Sequence, residues 1–144
     1  MSGTTIIKID EVSVLDRGGG VRTWPLVIHS RIPESGFTTG ISAYPPGKGA
    51  PKHRHNCAEQ VTLLEGLGEV EIEGVVTPLK PYDSTFIAAN HTHCFRNTGD
   101  IAMKILWIYD SRRVTRTFEG SDEEVEHLSA ADLMGEAASP AEDA

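Results

Sequence analysis

Short β-prone segments separated by glycine and proline run through most of this chain. In residues 69–73 acidic and apolar side chains alternate strictly, which on a strand turns Val70 and Ile72 to a core and the three glutamates to water. Similar segments recur at roughly 8–12-residue spacing with hardly any helical periodicity, and this predicts an all-β barrel or sandwich. The expected strands are residues 5–9, 21–29, 37–44, 60–65, 69–73, 75–79, 85–89, 93–97 and 101–109.

Two of the expected strands carry features that place them within such a fold. Pro25 interrupts residues 21–29, and because proline lacks the N–H that a strand ladder needs, it indicates a sheet edge or a bulge. Residues 101–109 are apolar on both faces, which predicts burial on both sides, either inside a sandwich or at a contact between subunits.

The acidic residues are concentrated towards the C-terminal end of the chain. The 144 residues suffice for one domain, and 13 basic against 21 acidic side chains give a net charge of −8. This balance argues against binding to nucleic acid or to an anionic membrane surface, because both need a surplus of positive charge. Nine of the acids lie in residues 119–144, which hold no lysine or arginine. We therefore expect a barrel over residues 1–118 followed by a solvated acidic tail over 119–144.

Short helices are expected only inside that tail. Ser121 followed by Glu124, and Ser129 followed by Asp132, both have the spacing of a helix capping box. The stretch after Gly135 is rich in alanine, proline and acidic residues, a composition typical of a disordered end.

The cysteine content and the N-terminal residues bear on the cellular location. The two cysteines, Cys57 and Cys94, do not form the framework of a secreted disulfide-rich domain. The first residues contain no apolar stretch of the signal-peptide type, and no apolar run is long enough to span a bilayer. The sequence therefore predicts a cytoplasmic protein that does not bind membranes.

Four of the six histidines lie between residues 53 and 93. His53 and His55 are two residues apart, so on an extended strand both imidazoles point to the same face. Glu59 shares that face on a straight strand, and His93 needs only a neighbouring strand that faces into the same barrel. Three imidazoles and one carboxylate form a mixed nitrogen and oxygen site that suits iron, manganese, cobalt, nickel, copper or zinc. We therefore expect His53, His55, Glu59 and His93 to hold one divalent transition metal.

The same residues fall into a motif of a known family. The pattern Gly47-(x5)-His53-x-His55-(x3)-Glu59-(x6)-Gly66 resembles the first cupin motif at every defining position. The resemblance extends from just before the expected strand at residues 37–44 to the end of the last expected strand, and so covers about residues 36–110.

The second cupin motif is present in part, as His93-(x3)-Asn97. Where the family usually has a leading glycine, a proline and a further glycine, this chain has Tyr82, Ala88 and Asn90. Because asparagine tolerates a positive φ, we expect Asn90 to make the turn that a glycine would make.

The resemblance to the cupins implies a specific fold, site and assembly. The fold is a double-stranded β-helix, or jelly-roll barrel, with the metal inside near one mouth and held by His53, His55, Glu59 and His93. A small-molecule substrate is the implied partner. Many small cupins are dimers, and a twofold dimer is also the commonest closed assembly, so we expect a homodimer in which the N-terminal strands of residues 1–35 are exchanged.

Several further residues near the motifs are candidates for supporting roles. His91 lies in the turn before the third histidine of the motifs, and we expect it beside the ligands or at the barrel mouth. Phe95 faces the same side as that third histidine and is a candidate for a wall of the substrate pocket or for the core. Cys57 is expected to be a packed side chain, and His29 and His127 are expected to be structural or exposed.

Four protein ligands on a metal that prefers six leave positions open for substrate or water, which indicates catalysis. The favoured hypothesis is a metal-dependent dioxygenase or other oxidoreductase that acts on a small organic substrate. One alternative is a non-redox metalloenzyme, such as an isomerase, epimerase, lyase or decarboxylase. The other alternative is a non-catalytic module that binds a metal or a small molecule, and a barrel mouth blocked by bulky side chains favours it.

Overall fold

The computed structural model describes residues 3–132, which form two facing antiparallel β-sheets. Apart from one 3-10 turn at Ile9–Glu11, these residues form strands and irregular segments. No helix in the described part of the chain is long and apolar enough to cross a membrane. The strands are β1 (Leu15–Asp16), β2 (Arg22–Pro25), β3 (Thr38–Tyr44), β4 (His53–His55), β5 (Glu59–Glu65), β6 (Gly68–Ile72), β7 (Val75–Leu79), β8 (Ser84–Ile87), β9 (His93–Asn97), β10 (Met103–Tyr109), β11 (Thr115–Phe118) and β12 (Glu124–Glu126).

Each sheet has six strands, and the chain crosses repeatedly from one sheet to the other. The first sheet has the order β1-β2-β3-β10-β5-β8, and the second has the order β12-β11-β4-β9-β6-β7. All neighbouring strands pair in antiparallel fashion. The all-β prediction is confirmed, and the strand order fits the jelly roll that the resemblance implied.

The core lies between the two sheets. On β10 every second side chain is buried, including Trp107 and Tyr109, whereas the side chains between them are half-buried. The expectation that this strand is buried on both faces therefore holds fully for one face. Gly40 on β3 pairs with Trp107, and a Cβ at Gly40 would lie 2.2 Å from Cζ2 of the indole. The glycine leaves the room that the indole ring occupies.

Most of the expected strands form, with ends that differ by one or two residues, and β7 and β9 match residues 75–79 and 93–97 at both ends. The prediction of a strand over residues 5–9 is wrong. These β-branched residues find no partner strand, and Ile6 is 78% exposed. The expected strand over residues 21–29 ends at Pro25, which lies beyond the two-residue strand β1 and thus at an open edge of the sheet.

Two residues take left-handed backbone conformations where the family usually has glycine. Asn90 has a φ of +67°, which confirms the turn expected of it. Tyr82 has a φ of +75°, and this residue is 80% exposed, so its ring packs against little of the protein. Its N–H donates to the carbonyl of Leu63 at 2.7 Å, so the turn and not the packing of the ring holds this conformation.

The described part of the acidic tail, residues 119–132, packs against the barrel. The helix predicted at Ser121 is wrong, because Glu124–Glu126 form β12, in which Val125 pairs with Arg116 of β11. This pairing satisfies backbone groups that a helix would have satisfied locally. No helix follows Ser129 within the described residues, and the stretch expected to be disordered after Gly135 lies outside them. The domain boundary at residue 118 stays a prediction.

Asp132 is fully buried, so the expectation of a solvated tail is wrong for this residue. Its carboxylate accepts a hydrogen bond from Nη2 of Arg17 at 2.8 Å and another from Nη1 of Arg116 at 2.8 Å. Its carbonyl oxygen accepts two further bonds from Arg17, at 3.0 and 2.8 Å. The physical reason is that two buried guanidinium groups need an opposite charge, and a carboxylate from the 119–132 segment provides it.

Candidate metal centre

The two sheets together supply the residues of the candidate metal centre. His53 and His55 are the first and last residues of β4, and His93 begins the neighbouring strand β9, directly opposite His53. Glu59 begins β5 in the other sheet. All four residues are no more than 5% exposed, so the site lies in the interior of the barrel.

Each of the three rings is oriented by a hydrogen bond to a backbone carbonyl. The acceptors are the carbonyl oxygens of Pro51, Thr115 and His91, at 2.6, 3.0 and 2.8 Å from the Nδ1 atoms of His53, His55 and His93 respectively. Because a carbonyl oxygen only accepts, Nδ1 carries the proton in each ring, and in the neutral ring the lone pair is left on Nε2. This is the tautomer that a metal ligand needs, with the ring direction fixed by the second nitrogen.

The ligand atoms converge on one point. Each of His53, His55 and His93 offers one ring nitrogen, and these nitrogens lie within 4.8 Å of one another. Oε1 of Glu59 lies 3.1 Å from Nε2 of His93 and 3.8 Å from Nε2 of His55. The structure therefore brings together the four side chains that the sequence pattern grouped.

The chemistry of these atoms fits a bound cation. A neutral His93 and an ionised Glu59 both present lone pairs across 3.1 Å, and two acceptors at that distance repel each other unless a proton or a cation lies between them. One proton relieves only one such pair, whereas one divalent cation accepts lone pairs from all four groups. Imidazole nitrogen and carboxylate oxygen are both ligands of first-row transition metals.

The protonation states favour metal binding. Burial, together with the charge of Arg116, lowers the pKa of His53 well below its ordinary value, and burial lowers the pKa of His55 to about 3. For Glu59, burial alone raises the pKa, but the close contact of its carboxylate with the His93 and His55 rings and the charge of Arg116 outweigh burial, and the net pKa is lowered. His53 and His55 are thus neutral and the carboxylate ionised at neutral pH, as a metal requires.

A small enclosed space of about 20 Å³, here called the inner cavity, adjoins these residues. A volume of this size holds about one water molecule. Aromatic rings enclose it, among them Phe95, Trp107, Tyr109 and His127. The hydroxyl of Tyr109 lies 3.2 Å from Nε2 of His55, and burial raises the pKa of Tyr109 well above its ordinary value, so the hydroxyl keeps its proton.

Two buried arginines also line the inner cavity. Arg17 and Arg116 share the carboxylate of Asp132, and Nε of Arg116 has no hydrogen-bond partner among the described residues. Together with Glu59, these residues carry two positive and two negative charges. The buried charges therefore cancel before any cation is added.

The residues expected to support the site have different outcomes. His91 is exposed, with its Nδ1 4.0 Å from a carboxylate oxygen of Glu73, and only its backbone carbonyl touches the site. Phe95 lines the inner cavity and also belongs to the core. Cys57 is buried in the bend between β4 and β5, and burial raises its pKa to about 12, so the thiol stays protonated.

His127 is the functional candidate that the sequence did not reveal. Its ring centroid lies 5.0 Å from those of Trp107 and Tyr109 and 6.3 Å from that of His55. It reaches this position because β12, which precedes it, pairs with β11. No local pattern around His127 carries this information, since the segment was expected to be helical.

A two-sheet β-barrel with three inward-facing histidines beside a buried carboxylate defines a class of small barrels with an internal candidate metal site. Residues 40–109 match the model of the Cupin domain family. The chain is also 30% identical over 103 residues to Protein SchB of Streptomyces halstedii, a match that covers 71% of this chain and 74% of that protein. The chain belongs to the cupin family.

Other relatives are similar over shorter shares of their length. The chain is 36% identical over 75 residues to a 5-nitrosalicylic acid 1,2-dioxygenase of Bradyrhizobium sp, a match that covers 52% of this chain but only 36% of the dioxygenase. The fold is similar to that of an oxalate decarboxylase of Lactobacillus farciminis in complex with formate, with a TM-score of 0.68 and 14% identity. That match covers 76% of this chain and 34% of the decarboxylase, and it shows the fold alone.

Proposed function

We propose that His53, His55, Glu59 and His93 hold one divalent transition metal and that the chain is a metal-dependent enzyme for a small organic substrate. One observation carries this proposal. All three Nδ1–H groups are committed to backbone carbonyls, which directs three Nε2 lone pairs to one point beside the Glu59 carboxylate. Histidines that served only as core residues would not need this common orientation.

The chain's own residues would prepare the site for chemistry. A divalent metal bound there supplies Lewis-acid or one-electron chemistry at its open coordination positions. The Glu59 carboxylate offsets part of the cation's charge, and the Tyr109 hydroxyl holds a proton within hydrogen-bond reach of the ligands. Trp107 and Phe95 give the inner cavity part of its apolar wall.

Among the possible reactions we propose that of a dioxygenase. A dioxygenase transfers both atoms of O₂ to its substrate and so needs no external reductant. The inner cavity adjoins the ligands and, at about 20 Å³, admits only a very small molecule beside them. The dioxygenase of Bradyrhizobium sp supports this choice, because its similarity covers 52% of this chain at 36% identity.

Elemental analysis followed by oxygen uptake tests the proposal. We expect the purified protein to contain about one transition-metal ion per chain, and the Fe(II)-loaded protein to consume O₂ with a compound in a panel of substituted salicylates. His93→Ala should abolish both signals, and His91→Ala, with its exposed ring, serves as the matched control. Bound zinc or manganese without oxygen dependence would support a non-redox metalloenzyme instead. A protein that binds no metal would contradict the proposal.

The second candidate function is a non-catalytic metal-binding module. The observation that favours it is the small size of the inner cavity, which large side chains such as Trp107 and Tyr109 enclose. A protein that binds its metal tightly, but shows neither oxygen uptake nor binding of any organic acid, would support this second function.

We also propose that the protein forms a homodimer and is located in the cytoplasm, two predictions that rest on the sequence. Phe86 of β8 is 73% exposed and Phe37, just before β3, is 49% exposed, and both line one shallow depression, which gives a dimer an apolar surface to bury. Exchange of N-terminal strands would require β1 and β2, which here lie beside β3 of their own chain, to pair with the other copy instead. Light scattering on the wild type and on Phe86→Glu tests the dimer.

A further inference from the structure

A second, larger depression lies on the other side of His127 from the inner cavity. This outer groove has a volume of about 860 Å³, and His127 is one of the residues that line it. Among the described residues, His127 is the one side chain that lines both spaces. The outer groove and the inner cavity therefore adjoin at one imidazole ring, which forms the wall between them.

The position of the outer groove in the barrel agrees with this relationship. It is bordered by Pro25 at the end of β2, Thr38 at the start of β3 and Val114 next to β11. The candidate ligands His55 and Glu59 lie at the end of β4 and the start of β5. The ring of His55 is hydrogen-bonded to the backbone carbonyl of Thr115, the residue that follows Val114. The groove is thus a mouth of the barrel on the side of the site.

Positive charge gathers in the outer groove although the chain as a whole carries −8. Arg31, Arg112 and Arg113 line the groove, and Glu126 is the acidic residue among its lining side chains. Glu126 pairs with Arg113 at 2.6 Å, whereas Arg112 donates to Nδ1 of His29 at 2.6 Å and has no carboxylate partner among the described residues. An exposed arginine that is not neutralised is suited to a carboxylate or another planar anion.

Apolar side chains complete the outer groove. Leu15, Ile28 and Leu128 line it together with Pro25, so a ligand there meets hydrocarbon beside the arginines. The volume lies in the range of pockets that bind organic ligands, about 300–1,000 Å³. The chemistry selects a molecule with an apolar, ring-sized body and one anionic group.

The wall between the two spaces is held by packing. The His127 ring contacts Trp107 and Tyr109 edge to face and makes no side-chain hydrogen bond to another described residue. A change of its side-chain rotamer therefore breaks ring contacts alone. The backbone there is fixed by the N–H of His127, which donates to the carbonyl of Val114 at 3.0 Å.

We propose that the outer groove is the substrate-binding site, that it takes an organic carboxylate with an apolar ring-sized body, and that His127 separates this substrate from the metal until its ring moves. This inference rests on the proposed function. It also agrees with the buried charges, because a divalent cation added to a neutral set leaves a surplus of positive charge that an anionic substrate offsets.

The test uses 2-naphthoate as the probe and 2-naphthamide, its uncharged analogue, as the comparison. Isothermal titration of the metal-free wild type should show binding of the naphthoate and at least tenfold weaker binding of the naphthamide. Arg112→Gln should weaken naphthoate binding about tenfold, as expected for loss of a charge-assisted hydrogen bond, and leave the naphthamide unaffected. Arg54→Gln is the matched control, because Arg54 lies on β4 and does not line the groove.

A second measurement tests the role of His127. With Mn²⁺ bound, relaxation of the naphthoate protons should report a nearby metal, and His127→Ala should increase this relaxation because the wall is removed. Equal affinity for the two probes, or equal effects of the Arg112 and Arg54 variants, would overturn the substrate site. Naphthoate binding in a protein that fails to bind Mn²⁺ would instead remove the proposed metal function and leave the anion groove standing.

Discussion

Nε2 of His93 and Oε1 of Glu59 lie 3.1 Å apart, although the two residues belong to different sheets of the barrel. His93 is positioned by the pairing of β9 with β4 and β6, and Glu59 by the pairing of β5 with β10 and β8. Their contact therefore depends on how the two sheets pack together. An ion bound between them would link the sheets in addition to serving any chemistry.

Replacement of His93 by alanine should weaken metal binding by about 100-fold or more, because it removes one of four ligands that together contribute many kcal/mol. Competition with a chromophoric chelator measures this affinity. His91→Ala is the control, since its ring is exposed and its carbonyl, which orients His93, is retained. Equal losses in the two variants would show that the metal is held elsewhere.

Replacement of Asp132 by asparagine should destabilise the protein by about 3–5 kcal/mol, because two buried guanidinium groups lose their counter-charge. Urea denaturation followed by tryptophan fluorescence measures the free energy of unfolding. Asp83→Asn is the control, since Asp83 pairs with Lys80 on the surface, and its midpoint should stay close to that of the wild type. A loss of stability in Asp132→Asn no larger than that in Asp83→Asn would show that the ion pairs of Asp132 do not hold the 119–132 segment against the barrel.

Acid should destabilise the metal-free protein well before its carboxylates titrate. Burial keeps the pKa values of His53, His55 and His127 below their ordinary value in the folded state, so below about pH 6.5 the unfolded chain binds more protons than the folded one. The free energy of unfolding therefore falls as the pH is lowered. Each histidine that stays neutral contributes a loss of about 1.4 kcal/mol between pH 7.5 and 5.5, or about 4 kcal/mol for the three.

Denaturation curves at these two pH values measure that loss. His127→Gln should reduce the difference between them by about a third, because one of the three groups is removed. A stability that does not change between pH 7.5 and 5.5 would show that these rings are accessible to protons in the folded protein.

Replacement of Tyr82 by asparagine should stabilise the protein by about 1 kcal/mol, because asparagine adopts the left-handed backbone conformation at lower cost than tyrosine. Tyr82→Ala removes the exposed ring but keeps a Cβ, and it should give no such gain. Thermal denaturation of the three proteins compares them. A gain from alanine equal to that from asparagine would assign the effect to the ring and not to the backbone.

The parts of this fold that could be predicted from sequence depend on local patterns. The two-residue spacing of His53 and His55 determines their common face, and β9 has the predicted bounds and pairs with β6 along its whole length. Asn90 was predicted for the same kind of reason, since its backbone preference is its own property.

The parts that could not be predicted depend on contacts between distant residues. Arg17 and Asp132 are separated by 115 positions, so no spacing rule connects them. Ser121 and Glu124 have the pattern of a helix start, but pairing of Glu124–Glu126 with β11 overrides that local preference. His127 follows this strand, and for that reason its place in the inner cavity was also missed.

The bonds from Arg17 to Asp132 also constrain the order of events during synthesis. A ribosome produces Arg17 well before Asp132, so the buried guanidinium group of Arg17 lacks its carboxylate until residue 132 has been made. A nascent chain that ends just after β11 has no Asp132, so its barrel interior cannot yet form these ion pairs. Final closure should therefore wait until Asp132 has been made, and a protease that cuts between β12 and Asp132 would weaken the finished barrel.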